Sequence, residues 1–100
     1  MATYDLLMVF DKEDHTVMIR ADRLAKIPID RQFEVLSTLN ELNWEYRFVS
    51  FYGDREDFVT VQTDRVIAAN ETADPVMEMI VRVVQILDGA YPRIMKAIWS

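Results

Sequence analysis

The sequence predicts an α+β fold: an antiparallel sheet of two hairpins packed with two main helices, in the order ββαββα. Three observations lead there. Val17, Ile19 and Ala21 alternate with Thr16, Met18, Arg20 and Asp22, the period of a half-buried strand. The charged tips Asp11-Lys12-Glu13-Asp14 and Gly53-Asp54-Arg55-Glu56-Asp57 each separate two apolar segments, which reads as two hairpins. Two further stretches, after Pro28 and after Asp74-Pro75, repeat apolar residues at steps of three and four, the spacing of amphipathic helices. One hundred residues make one domain, 1–100, in which folding buries roughly 65% of the chain's surface.

The first hairpin takes residues 4–10 and 16–22. Pro28-Ile29-Asp30 punctuates the chain, and Asp30 is the expected N-cap of a helix over about 30–43, its carboxylate accepting first-turn amides. Phe33, Leu36, Leu39 or Asn40, and Asn43 form the expected apolar stripe, widened by Val35 and Leu42, with Asn43 as a left-handed C-terminal residue. The second hairpin takes residues 47–52 and 58–63, both aromatic and β-branched. Residues 68–73 read as a polar connector. Asp74-Pro75 then opens the last helix with a carboxylate at the cap and proline at the first helical position. Val76, Ile80, Val83, Val84, Leu87, Tyr91, Ile94 and Ile98 fall on one stripe of that helix, and Met77, Met79, Ile86, Met95 and Ala97 flank it. The apolar arc is wider than one sheet requires. Gly89 and Pro92 are expected to bend or break the helix near Ala90-Tyr91. The two tips and the Asp22-Arg23 and Asp64-Arg65 pairs recur at an offset of 42 to 43 residues, the mark of a ββα duplication or of charged turns that simply recur after strands.

Composition excludes much. Seventeen acidic against eleven basic side chains give a formal charge of −6, a field that repels polyanions and argues against nucleic acid. No apolar stretch reaches the roughly 20 residues of a membrane span. No cysteine and no basic segment before an apolar stretch at the N-terminus point to a cytoplasmic protein without disulfides or a secretory signal. The single histidine, His15, sits beside an acidic turn with no orienting partner in sequence. Ser37, Ser50 and Ser100 lack nucleophile-elbow glycines, and Gly53 and Gly89 cannot build a phosphate loop. The acidic tips lack the glycine and terminal glutamate of a calcium loop. Glu41 and Glu45, one helical turn apart, read as a solvated face rather than a catalytic pair. No enzyme, metal or cofactor is expected.

Aromatic and methionine side chains are the remaining candidates. Trp44, Tyr46, Phe48, Phe51 and Tyr52 cluster around the start of the second hairpin, and Phe48 and Phe51 have opposite parity. They are either internal core or a partner surface, since such side chains favour interfaces. The wide arc of the last helix and the terminal Ile98-Trp99 favour the surface. The partner-binding candidates are therefore Trp44, Phe48, Phe51, Tyr52, Met79, Ile86 and Trp99.

Leu39-Asn40-Glu41-Leu42-Asn43 followed by Arg47-Phe48, then Phe51-Tyr52 and an acidic turn, resembles the YbjN family, as does Ile86-Leu87-Asp88-Gly89-Ala90-Tyr91-Pro92. The resemblance runs from about Asp5 to Ile98. It implies a bacterial protein linked to sensory transduction and the fold of type III secretion chaperones, small acidic α+β proteins that commonly form homodimers and hold extended client segments. Those chaperones usually begin with an amphipathic helix, whereas this chain enters its first strand at once, so a groove built on that helix would be incomplete here. The resemblance carries no catalytic residues. The expected function is a non-enzymatic protein-binding or chaperone-like module, homodimeric through the last helix or an apolar sheet face, with a protein client. The rival reading is a small regulatory domain that senses a ligand between helix and sheet, near Trp44 and Tyr46. A hydrolase using paired carboxylates is the third.

Overall fold

The computed structural model describes residues 4–66 and 74–99. Strands β1 (Leu6–Asp11) and β2 (Thr16–Lys26) form the first hairpin. A turn of 3-10 helix at Ile29–Arg31 leads into α1 (Gln32–Glu45). Strands β3 (Ser50–Gly53) and β4 (Phe58–Val66) form the second hairpin, and α2 (Asp74–Trp99) closes the chain. The sheet is antiparallel in the order β1-β2-β4-β3. The predicted α+β, ββαββα architecture is the one observed. The expected connector at 68–73 and the carboxylate cap of Asp74 lie outside the described residues and side chains.

Alternation in the strands sets the layers. Val17, Ile19 and Ala21 of β2, Val59 and Val61 of β4 and Phe51 of β3 are buried together and share one face by register. Both helices lie on that face. Val35, Leu39 and Leu42 of α1 and Met79, Val83, Leu87 and Ile94 of α2 complete the core. The helices run antiparallel. Arg93 of α2 meets Glu45 at 2.9 Å and Glu41 at 3.6 Å, and Arg31 Nε donates to the Ala97 carbonyl at 3.0 Å. The Glu41–Glu45 pair thus serves one arginine.

The sheet also shows why the tips recur. Arg20 pairs with Gln62, its counterpart 42 residues on, so a twofold through that pair exchanges β2 with β4 and β1 with β3. The offset is 43 before the tips and 42 after them, because the second tip is one residue tighter. Asp11 lies opposite Thr16, whereas the Asp54 amide bonds the Phe58 carbonyl at 2.8 Å. Each tip is held by its leading aspartate. Asp11 Oδ1 accepts the amides of Glu13 and Asp14, and Asp54 Oδ1 those of Glu56 and Phe58. These are Asx-type turns. His15 and Asp57 end the tips in the left-handed region, with φ of 54° and 64°. The acidic tips therefore fix turns, and His15 is a turn residue. One irregularity breaks the symmetry. Between Ala21 and Ala25, β2 bulges opposite β4, with Arg23 at φ 52°. The bulge brings Arg23 and Lys26 over the Phe58 ring at 4.4 and 4.7 Å.

Four expectations are corrected. Asp30 makes no cap bond; it sits in the 3-10 turn, and Arg31 occupies the N-cap of α1. The buried stripe of α1 is Val35, Leu39 and Leu42, while Phe33 and Leu36 are exposed. Two apolar lines exist on this helix, and packing against α2 selects the one that the glutamates flank. Asn43 is helical, and the C-cap is the extended Tyr46. Finally, α2 runs through Gly89 and Pro92 as one helix of 26 residues. The carbonyl that Pro92 cannot bond belongs to Asp88; both residues are exposed, so water can reach it, while Leu87, Ala90 and Ile94 hold the opposite side in the core.

Candidate partner-binding surfaces

The seven predicted partner residues separate by depth. Phe51, Met79 and Ile86 lie in the hydrophobic core of the chain. Phe51 points inward because its register partner is Val61, and Met79 and Ile86 fall on the buried arc of α2. Phe48 precedes β3 and is half-buried against the core, with the Arg82 guanidinium 5.1 Å above its ring. Tyr52 lies on the sheet face away from the helices, where its hydroxyl donates to Gln62 Oε1 at 2.9 Å. Trp44 and Trp99 stand in solvent, at 72% and 78% exposure. These side chains do not converge on one patch.

The outer flank of α1 does gather a patch. Phe33, Leu36 and Trp44 follow one helical line, and Ile29 precedes it in the 3-10 turn. Phe33 is 81% and Ile29 88% exposed. This flank overhangs strand β3: a Cβ built on Gly53 would lie 3.7 Å from Leu36 Cδ2. Between the aromatics, Asn43 uses its amide as a strand would. Its Nδ2 donates to the Phe51 carbonyl at 2.9 Å, and its Oδ1 accepts the Phe51 amide at 2.7 Å. The outward backbone groups of Phe51 on the β3 edge are thereby satisfied. A shallow hollow formed by Asn40, Asn43, Trp44 and Arg47 adjoins the patch. The spacing of Phe33, Leu36 and Trp44 is visible in sequence, yet it competes with Val35, Leu39 and Leu42 for the core, and only the tertiary fit separates the two lines.

A second hollow, of about 630 Å³, borders the first turns of α2 and is lined by Phe48, Arg65, Pro75, Met79, Arg82 and Gln85 among others. Trp44 and Tyr46, expected together at a ligand site, are apart. Tyr46 turns inward to Gly89, where a Cβ would sit 2.9 Å from its hydroxyl. Burial, and after it a hydrogen bond to Glu45, raise the Tyr46 pKa above the ordinary tyrosine value. Among the described residues no cluster of three or more histidine, cysteine or acidic side chains could hold a metal ion, and no helix is long and apolar enough to cross a membrane.

An acidic α+β scaffold whose marked surface features are apolar rather than chemically reactive fits a binding or regulatory domain. Residues 1–95 match the model of the YbjN family, described as "Putative bacterial sensory transduction regulator". The chain belongs to that family. No curated protein and no solved structure matches it.

Proposed function

We propose that this protein is a non-enzymatic, cytoplasmic, protein-binding module with chaperone-like character, acting as a homodimer in bacterial regulation. The exposed line Phe33–Leu36–Trp44 on α1, continued by Ile29, carries the reading. Large apolar side chains gathered in this way mark interaction sites on otherwise soluble domains, and aromatics supply most of the energy of such contacts. The client on this flank is an apolar, extended segment, and the negative charge of the protein favours basic flanking residues in it. The family's regulatory description supports this class of role.

The test uses the full-length protein as bait in extract of the native cell, beside a Phe33→Ser/Trp44→Ser variant. Both side chains are already exposed, so the variant should melt within a few degrees of the parent. It should lose the partners that the parent retains. Equal retention by both, or retention by neither, overturns the reading. The hollow beside Phe48 and Arg82 favours a second reading, a ligand-sensing domain. A metabolite that raises the melting temperature of both proteins alike by mass action would establish it instead.

A further inference from the structure

At about 630 Å³, the hollow beside the first turns of α2 has the size of a small-molecule site. Two parts of the chain build its walls. Arg65 lies opposite Val17 in the register, which puts it on the helix side of the sheet near the end of β4. Two residues earlier, Thr63 Oγ1 donates to the Phe48 carbonyl at 2.8 Å, and this bond holds the segment that carries the Phe48 ring beside β4. The other wall is α2. There Glu78, Arg82 and Gln85 line the hollow at steps of four and three, and so share one line of the helix. Met77 and Val81, both at least half exposed, also border it, and the almost fully buried Met79 lines it from the core. Apolar side chains with a few polar groups among them are the usual make-up of a ligand pocket.

Arg82 gives the hollow its chemical preference. Its guanidinium lies 5.1 Å from the centroid of the Phe48 ring, a contact that supplies no oxygen to its N–H donors. Among the described residues Arg82 forms no ion pair, although Glu78 stands one turn before it; Arg65, by contrast, has an interaction of its own. We infer that the hollow binds a small monocarboxylate with an apolar body, the carboxylate on Arg82 and the body against Phe48 and the methionines. A guanidinium fork matches a carboxylate with two parallel hydrogen bonds. Glu78, on the same line of the helix, opposes a second negative charge, so a single carboxylate fits better than a dianionic phosphate. Unbranched, polarisable methionine side chains adapt to apolar bodies of different shape. The overall charge of −6 works against any anion at long range. Recognition therefore comes from the local Phe48–Arg82 pair and from burial of the apolar body. The inference rests on the ligand-sensing reading of this hollow, to which it adds the class of ligand, and is independent of client binding on the α1 flank.

Three probes test it on the isotope-labelled, full-length protein: phenylbutyrate, the neutral phenylbutanol with the same body, and phenyl phosphate. Each is titrated to about 10 mM, above the millimolar affinity of a ligand this small, and the resonances are followed by NMR. Phenylbutyrate should give saturable shifts at Phe48, Arg82 and Gln85. Phenylbutanol should bind about fivefold or more weakly, as expected when a hydrogen bond to a charged group is lost at an exposed site. Arg82 is exposed, so Arg82→Gln should keep the parent's spectrum and lose affinity for the acid by a similar factor. Arg82→Lys should recover only part of the loss, since it keeps the charge without the fork. Phe33→Ser/Trp44→Ser should bind the acid as the parent does. Should Arg82→Gln not fold, the ratio of acid to alcohol in the parent decides. Equal affinity for acid and alcohol, an Arg82→Gln protein that binds the acid unchanged, or a preference for phenyl phosphate overturns the monocarboxylate class and leaves the hollow a ligand site. Shifts confined to Asn43, Trp44 and Arg47, or no binding of any probe, overturn the ligand-sensing reading of this hollow as well.

Discussion

At Asn43 one side chain stands in for a missing fifth strand. Its amide satisfies both the donor and the acceptor of Phe51, groups whose burial without partners would cost about 1–3 kcal/mol each. From sequence the same residue reads as a helix C-cap, because asparagine tolerates left-handed backbone; nothing local reveals that an edge strand passes beside it. Tyr4 shows a comparable long reach. Its hydroxyl donates to Asp88 Oδ1 at 2.9 Å, and its pKa is raised to about 12 by burial first, then by that hydrogen bond and the Asp88 charge. The raised value means that the native state holds the phenolic proton more tightly than the unfolded chain does. Its contribution is fully present below the ordinary tyrosine value near pH 10 and is lost as pH climbs through about 12. Tyr4→Phe should therefore cost about 1 kcal/mol at neutral pH. It should also flatten the fall in stability between pH 10 and 12, as read by urea unfolding across that range. A fall as steep in Tyr4→Phe as in the parent would refute the assignment.

The helices are where local propensity and packing disagree. Gly89 and Pro92 argue for a break in α2, since proline in a helix interior costs about 3 kcal/mol. The helix continues because Val83, Leu87, Ala90 and Ile94 are all fully or almost fully buried along its inner side, and each large aliphatic side chain buried adds roughly 1.5–3 kcal/mol. Gly89 is placed by tertiary need: its missing side chain leaves room for the Tyr46 hydroxyl. Gly89→Ala should consequently gain nothing in the parent, although alanine ordinarily favours a helix by about 1 kcal/mol. On a Tyr46→Phe background, where the hydroxyl is gone, the same change should stabilise by about that amount. A double-mutant cycle of thermal unfolding measures the difference, and equal effects on both backgrounds would contradict the contact. In α1 the sequence carries two apolar lines and does not rank them. The strands are more legible, because a period of two leaves one choice of face once any residue is buried.

For the molecule as a whole, the repeated ββα order is visible as a 42-to-43-residue offset, and the sheet explains both numbers through the one-residue difference between the tips. The pseudo-twofold places the hairpins so that β3 and β1 become the edges, the first with the outward groups of Phe51 bonded by Asn43 and the second with no side-chain bond to its outer edge among the described residues. If the protein is the homodimer proposed above, the association stabilises the native state by mass action. The melting temperature should then climb a few degrees for each tenfold rise in concentration; a concentration-independent value would speak against the dimer. Periodicity, turn chemistry and short motifs were enough for the fold class, the order of elements, the buried faces of the strands, the family and the surplus of apolar surface. They were not enough to say which apolar residues stay outside. Phe51, Met79 and Ile86 went to the core, while Phe33, Trp44 and the β1 strand did not. Burial depends on what each face meets across the fold, and that is set by contacts between residues far apart in the chain.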